Sequence, residues 1–387
     1  MSPTRPAFQY DPLSEVATDE EFRPTPRIRL ASPVTGEEEV DAVREVLGSG
    51  ILTNGPWTRR FEAAMAERHG TEHAVALANG TVALAAMYLA AGIGPGDEVI
   101  VPSLTFIGTA TSVLHVGATP VFAEVRPDTF NLDPDDVASR ITSRTKAIVP
   151  VHYGGQAADM EKFQALAEEA GVLLFEDAAQ AHGASFNGRP VGSWGDAGMF
   201  SFTATKNITT GEGAVVTTDD GDLARQMRIL RNHGMTKQYF HEVVGWNWRL
   251  SEMQAAIGTC QIDRLDQILA VKRANAVLFG GLLSQIAGVL PPVAPSDRDH
   301  PYMLYTVSLP PERRDAAAAA LATAGIESRI YFPPAHHQPV FSNLAQPDLP
   351  VTDEIASRIL SLPFHSRLGR DDFTEIAEVL RGVLATS

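Results

Sequence analysis

The stretch AIVPVHYGGQAADMEKFQALAEEAGVLLFEDAAQ (147–180) decides the fold. Two apolar, β-rich runs, AIVPVHY (147–153) and VLLFEDAA (172–179), flank an amphipathic pattern, DMEKFQALAEEAG (159–171), that closes at a glycine as helices often do. Strand, helix, strand in this spacing predicts a parallel pair with a crossover helix. The same alternation extends outward. VIVPS (99–103), PVFAEV (120–125), MFSFTA (199–204) and AVVTT (214–218) read as further buried strands, and GTVALAAMYLAAG (80–92) and FIGTATSVLHVG (106–117) as helices ending at glycine. The expected architecture is α/β, a mostly parallel central sheet with helices on both faces. A long helical pattern from Ser251 to about Leu283 leads into GVLPPVAPSDRDHP, which breaks regularity, and YTVSLP with ERRDAAAAALATAGIE opens a smaller C-terminal α+β domain. The expected divisions are an arm over 1–32, a large domain over 33–264 and a small one over 265–387.

The 387 residues allow two to three domains of about 150 residues each and a full enzyme core. With 31 basic against 47 acidic side chains the net charge is −16, which disfavours nucleic acid and anionic membrane as partners. The single Cys260 cannot form an internal disulfide, and no Cys/His set has metal-ligand spacing. A reducing compartment, the cytoplasm, is therefore expected, and a metal site is not. MSPTRPAFQYDPLSE (1–15) lacks an apolar core behind a basic region, and no stretch reaches the roughly 20 apolar residues of a bilayer span. Cys260 itself reads as a small core residue.

In open parallel sheets ligands sit beyond the carboxyl ends of the strands, where Asp177 and Ser201 stand. Only five lysines occur, so the setting of each is informative. Lys146, Lys162 and Lys272 lie in polar turns or on helix faces and read as solvated surface charges. Lys206 follows an apolar strand and precedes a Gly/Thr turn in FSFTATKNITTGEGAVVTT (200–218), a place for a cleft lysine as much as for a surface one. A partly desolvated lysine amine attacks carbonyls to form imines, which is how pyridoxal phosphate is held. That cofactor also needs a carboxylate aimed at its ring nitrogen, and Asp177 either serves this purpose or caps the following helix. Its phosphate needs a helix start with hydroxyls. Asn79-Gly80-Thr81 offers one, although a plain N-cap explains the same residues. GIGPGDE (92–98) is no dinucleotide fingerprint, and no glycine-rich loop ends in Gly-Lys-Ser/Thr.

Taken together, NGT (79–81), GPGDEVIVPSLTF (94–106), GATPVFAEV (117–125), RTKAIVPVHYGGQAADM (144–160), EDAAQAHGA (176–184), GDAGMFSFTATKN (195–207), RNHG (231–234) and GWNWRLSEMQAA (245–256) resemble, in this order, the DegT/DnrJ/EryC1/StrS sugar aminotransferases within the fold-type I pyridoxal phosphate enzymes. The resemblance implies a Schiff-base role and proton transfer for Lys206. It implies that Asp177 pairs with the ring nitrogen, Gln180 lies by the ring hydroxyl, Phe106 stacks on the ring, and Gly80, Thr81 and Ser201 hold the phosphate. Asn247 would reach the cofactor of the partner subunit, making a homodimer with shared sites. Arg249, Tyr331 and His336 would face substrate, with a structural ion pair open for Arg249 and a plain loop position open for His336. Ala214 stands where many relatives carry a second glycine, and tolerance of its methyl is expected. Some relatives are sugar dehydratases with histidine at the lysine position, so Lys206 argues against that branch.

The implied function is transfer of an amino group from glutamate or glutamine to a keto-sugar, most of all a nucleotide-linked 3- or 4-keto-deoxysugar, by a ping-pong mechanism through pyridoxamine phosphate. The alternatives are an aminotransferase for a keto-cyclitol and, in another class, a non-catalytic sugar-binding or regulatory protein on the same fold.

Overall fold

The computed structural model describes residues 26–344 and 347–385. Helices α1 (Glu37–Ser49) and α2 (Pro56–His69) precede β1 (His73–Leu77), α3 (Gly80–Ala90), β2 (Glu98–Pro102), α4 (Ile107–His115), β3 (Thr119–Ala123), α5 (Pro134–Arg140), β4 (Thr145–Ile148), α6 (Met160–Ala170) and β5 (Leu173–Asp177). After the short strands β6 (Ser185–Phe186) and β7 (Arg189–Pro190) come β8 (Ala197–Ser201), β9 (Ala214–Thr218), α7 (Gly221–Leu230), a hairpin of β10 (Met235–Lys237) and β11 (Phe240–His241), and the 32-residue α8 (Glu252–Leu283). The remainder is β12 (Arg298–Asp299), which pairs with β6, then β13 (Tyr305–Ser308), α9 (Pro311–Thr323), α10 (Pro350–Arg358), β14 (Ile359–Leu362) and α11 (Arg370–Leu384).

The seven-stranded sheet runs β1-β9-β8-β5-β4-β2-β3. It is parallel from β3 to β8, and β9 lies antiparallel to both β8 and β1. Because alternate strand residues face opposite ways, β2 sends Val99 and Val101 to one face and Ile100 to the other. The first face packs on α3, α4 and α7 through Ala83, Val113 and Met227. The second packs on α2, α6 and α8 through Phe61, Phe163 and Leu265. Two covered faces explain why the strand runs are continuously apolar.

The sequence reading places six of the seven strands within a few residues. AIVPVHY stops at Ile148 because Pro150 has no N–H to continue the ladder, leaving Val151 a single bridge to Asp177. The short edge strand β1 is the one it passes over.

Antiparallel β13 and β14 build the second unit, whose core joins Val307, Leu321, Leu360 and Phe373 to Phe279 and Leu283 at the end of α8. Of the expected arm, residues 1–25 lie outside the described residues. Ile28 bridges Ile326 of the second unit. Among the described residues, no helix is long and apolar enough to cross a membrane.

Candidate active site

Asp177 is the last residue of β5, where the strand end leaves its carboxylate at the rim of the sheet. Thr109 donates its hydroxyl hydrogen to Asp177 Oδ2 at 2.7 Å, and Ala179 N–H donates to Oδ1 at 3.1 Å. Burial raises this carboxyl above the ordinary range, against the opposing effects of the Thr109 bond and the Lys206 charge. The neighbouring Glu176 faces the other way, as strand alternation requires. It accepts N–H bonds from Gly192, Trp194 and Gly195 at 2.7, 2.8 and 3.1 Å and lies 3.0 Å from His152 Nε2. Ala158 N–H donates to His152 Nδ1, so the ring proton sits on Nε2. Burial pushes the Glu176 carboxyl up, but the His152 bond and the backbone donors hold it below the ordinary carboxylate value. The pair fastens the end of β5 under Asp177.

Lys206 stands in the turn between β8 and β9, its backbone N–H bonded to Thr203 O at 3.0 Å. Burial lowers its amine to about 8, against the raising pull of Asp177 and Glu212. The amine is therefore partly free of its proton near neutrality. The next residue, Asn207, is held by Lys272 Nζ on Oδ1 at 2.7 Å and by its own Nδ2 on Pro301 O at 3.1 Å. Lys272 is not the surface charge that its sequence setting suggests. It is 3% exposed, its second acceptor is Phe364 O, and desolvation brings its amine to about 7.

The first turn of α3 meets this group from the opposite side. Asn79 caps the helix by accepting from Val82 N–H at 3.1 Å, which leaves the N–H groups of Gly80 and Thr81 without an intrahelical acceptor. The Ser201, Thr203 and Thr205 hydroxyls lie on the same cleft. A Cβ on Gly108 would stand 2.8 Å from Thr81 Oγ1 and 3.0 Å from the Phe106 ring, so the cradle has no room for a side chain there. The Phe106 ring is 56% exposed toward the cleft. Met303, Leu304, Arg329, Tyr331 and Phe332 of the second unit supply the far wall of a space of about 670 Å³.

The structure thus brings Lys206, Asp177, Gln180, Gly80, Thr81, Phe106, Ser201 and Tyr331 to one cleft. Gln180 is fixed by accepting Gly154 N–H at 2.7 Å, and Tyr331 by its carbonyl, which accepts from the Tyr153 hydroxyl. It does not bring in His336, Asn247 or Arg249. His336 is buried behind the wall with Nδ1 2.6 Å from Ser103 Oγ, because the chain turns away at Pro333-Pro334. Arg249 donates to Asn232 Oδ1 at 2.8 Å, and Asn247 bridges Asn232 on the outer surface. Sequence reasoning missed Thr109, Glu212, Arg329 and Phe332. Glu212 was legible in GEG after the lysine, and Arg329 in the SRIYF run that contains Tyr331. Ala214 is buried in β9 opposite Leu77, and a Cβ on the preceding Gly213 would meet Thr210 Oγ1 at 2.4 Å. Cys260 is half-buried at the α1–α8 seam, its thiol pushed up by burial.

An amine of lowered pKa, a buried carboxylate and a helix start with hydroxyls match the three demands of pyridoxal phosphate: aldehyde, ring nitrogen and phosphate. The residues present fit that cofactor.

Comparison with known proteins agrees. The model of the DegT/DnrJ/EryC1/StrS aminotransferase family matches residues 33–381. GDP-perosamine synthase of Caulobacter vibrioides is 42% identical over 367 residues, covering 93% of this chain and 99% of that protein. UDP-N-acetyl-3-dehydro-alpha-D-glucosamine 3-aminotransferase of Acidithiobacillus ferrooxidans is 42% identical over 350 residues, covering 90% and 94%. The crystal structure of S. venezuelae DesV in complex with a ketimine intermediate superimposes with a TM-score of 0.87 at 39% identity, covering 91% of this chain and 95% of that one.

Proposed function

The chain belongs to the DegT/DnrJ/EryC1/StrS aminotransferase family, whose members depend on pyridoxal phosphate, and on that premise we propose that it transfers an amino group from L-glutamate or L-glutamine to a nucleotide-linked 3- or 4-keto-deoxysugar. The observation that carries this reading is the convergence of Lys206, Asp177 and the first turn of α3 on one cleft with a substrate-sized wall opposite. The bound cofactor supplies an electron sink for charge developing at the nitrogen-bearing carbon. The rest is the work of this chain's side chains.

Lys206, with its amine at about 8, takes a proton from the substrate carbon and returns one to the cofactor side. Asp177, its carboxyl raised by burial, would hold the proton on the ring nitrogen. Gly80, Thr81 and Ser201 would hold the phosphate, Phe106 would stack on the ring, and Gln180 would lie by the ring hydroxyl. Arg329 and Tyr331 face the substrate, with Arg329 suited to a carboxylate or diphosphate. His336 supports the wall from behind. Asn247 reaches the phosphate held by a second copy of the chain, with Arg249 beside it, so the working unit is a homodimer. One lysine serving both half-reactions implies ping-pong kinetics. The single cysteine suits a reducing compartment, the cytoplasm.

The relatives' names support an activated sugar as acceptor, one of them a 3-dehydro sugar linked to UDP. The test is to load the protein with pyridoxamine phosphate and offer 3-keto and 4-keto nucleotide sugars beside free inosose. Return of the lysine-bound cofactor's visible band with a nucleotide-linked ketone is expected. Return with inosose alone would overturn the choice of acceptor in favour of a cyclitol.

A further inference from the structure

Just beyond the cleft wall, a single 3₁₀ turn (Ala335–His337) sets two adjacent imidazoles against the first turn of α10. His337 Nε2 lies 2.8 Å and His336 Nε2 3.6 Å from the same oxygen, Asp353 Oδ1. The three candidate donor atoms all fall within 4.8 Å of one another. We propose that His336, His337 and Asp353 form a binding site for one divalent transition-metal ion of the zinc class.

Tetrahedral zinc with bonds of about 2.0–2.1 Å needs donor atoms roughly 3.4 Å apart. The two histidine–Asp353 separations, 2.8 and 3.6 Å, bracket that distance, so an ion enters by small side-chain adjustments. Ser103 Oγ lies 2.6 Å from His336 Nδ1, and in the tautomer that carries the ring proton on Nδ1 this bond leaves Nε2 as the free donor. Ser103 Oγ also accepts the His336 backbone N–H at 3.1 Å, which ties it to the same turn. Two imidazoles and one carboxylate suit zinc, nickel or copper and not calcium or magnesium, which take oxygen. An open space of about 400 Å³ beside the three residues leaves room for water as the remaining ligand. The sequence reading passes over this set because Asp353 lies 16 positions from His337, with no short motif to announce it. The turn continues directly from Tyr331 and Phe332, so an occupied site joins the cleft wall to α10.

The experiment uses untagged, cofactor-loaded, chelator-treated full-length protein titrated with zinc against a chromogenic competitor. One ion per chain, bound with micromolar affinity, is expected. The variants His337→Ala and Asp353→Asn, at an exposed and a half-buried position away from the cleft, should keep the cofactor absorbance and weaken zinc binding by about 10- to 100-fold. Cobalt(II) added to the wild type should give the visible bands of a four- or five-coordinate ion, absent in both variants. Zinc binding that is unsaturable in the wild type, or equally tight in both variants, overturns the site.

Discussion

Lys272 Nζ lies 2.7 Å from Asn207 Oδ1, one residue beyond Lys206. A buried amine in the long helix α8 thereby holds the side chain next to the proposed Schiff-base lysine, and among the described residues it does so without a carboxylate partner.

The amine of Lys272 is held at about 7 when buried, below its ordinary 10.5. Between those values the unfolded chain binds the extra proton, so this residue's contribution makes folding stability rise as pH rises from about 7 to about 10.5. Lys272→Met removes the contribution. Urea unfolding of both proteins at about pH 7 and about pH 9 should show the wild type gaining on the variant by on the order of 1–2 kcal/mol. Identical pH responses would mean that the amine is solvated in solution.

Asp177 pulls stability and activity in opposite directions. Its carboxyl is raised by burial, so the folded state holds this proton more tightly than the unfolded state does, and above the raised value the bare carboxylate costs stability. Asp177→Asn should therefore raise the melting temperature of the cofactor-free protein by a few degrees at neutral pH, about 2–4 °C per kcal/mol. It should also lower transamination on the order of a hundredfold or more, because an amide does not keep the ring nitrogen charged. Cofactor addition should then shift the melting temperature of the wild type more than that of the variant. A variant that melts lower without cofactor would contradict the burial argument.

Lys206 and Asp177 were legible because the alternation of apolar runs marks strand ends, and parallel sheets gather chemistry there. Lys272 was misread although its signal was present. Leu265, Ile268, Leu269, Ala276, Phe279 and Leu283 of α8 are buried at helical spacing, and position 272 falls on that same stripe. The edge strand β1 escaped because five residues, HAVAL, carry too little alternation. His336 follows Tyr331 closely in sequence, yet the two prolines between them send one into the cleft and the other behind it. That separation is a property of the backbone path, which residue types alone do not encode.

Gly108 tests the cradle apart from the chemistry. It is the second residue of α4, where alanine favours the helix by about 1 kcal/mol. Its Cβ, however, would press on Thr81 Oγ1 and on the Phe106 ring. Gly108→Ala should leave the cofactor-free melting temperature unchanged or higher and weaken pyridoxal phosphate binding by roughly tenfold, a loss of about 1.4 kcal/mol. Equilibrium dialysis against the cofactor measures this directly, and undiminished affinity would show that the cofactor does not rest against Thr81 and Phe106.

Asn247 does not line its own chain's cleft, and it shares its segment with Tyr239 and Val244, which are 83% and 80% exposed. In the proposed two-fold dimer that surface would complete the other subunit's site. Lys206→Ala and Asn247→Ala homodimers should each be nearly inactive. Mixed by subunit exchange, they form hybrids in which one site has lost both residues and the other has lost neither. With half the dimers hybrid and one intact site in each, activity should recover to about a quarter of the wild type. If Asn247 acted within its own chain, every site in the mixture would lack one residue and no activity would return.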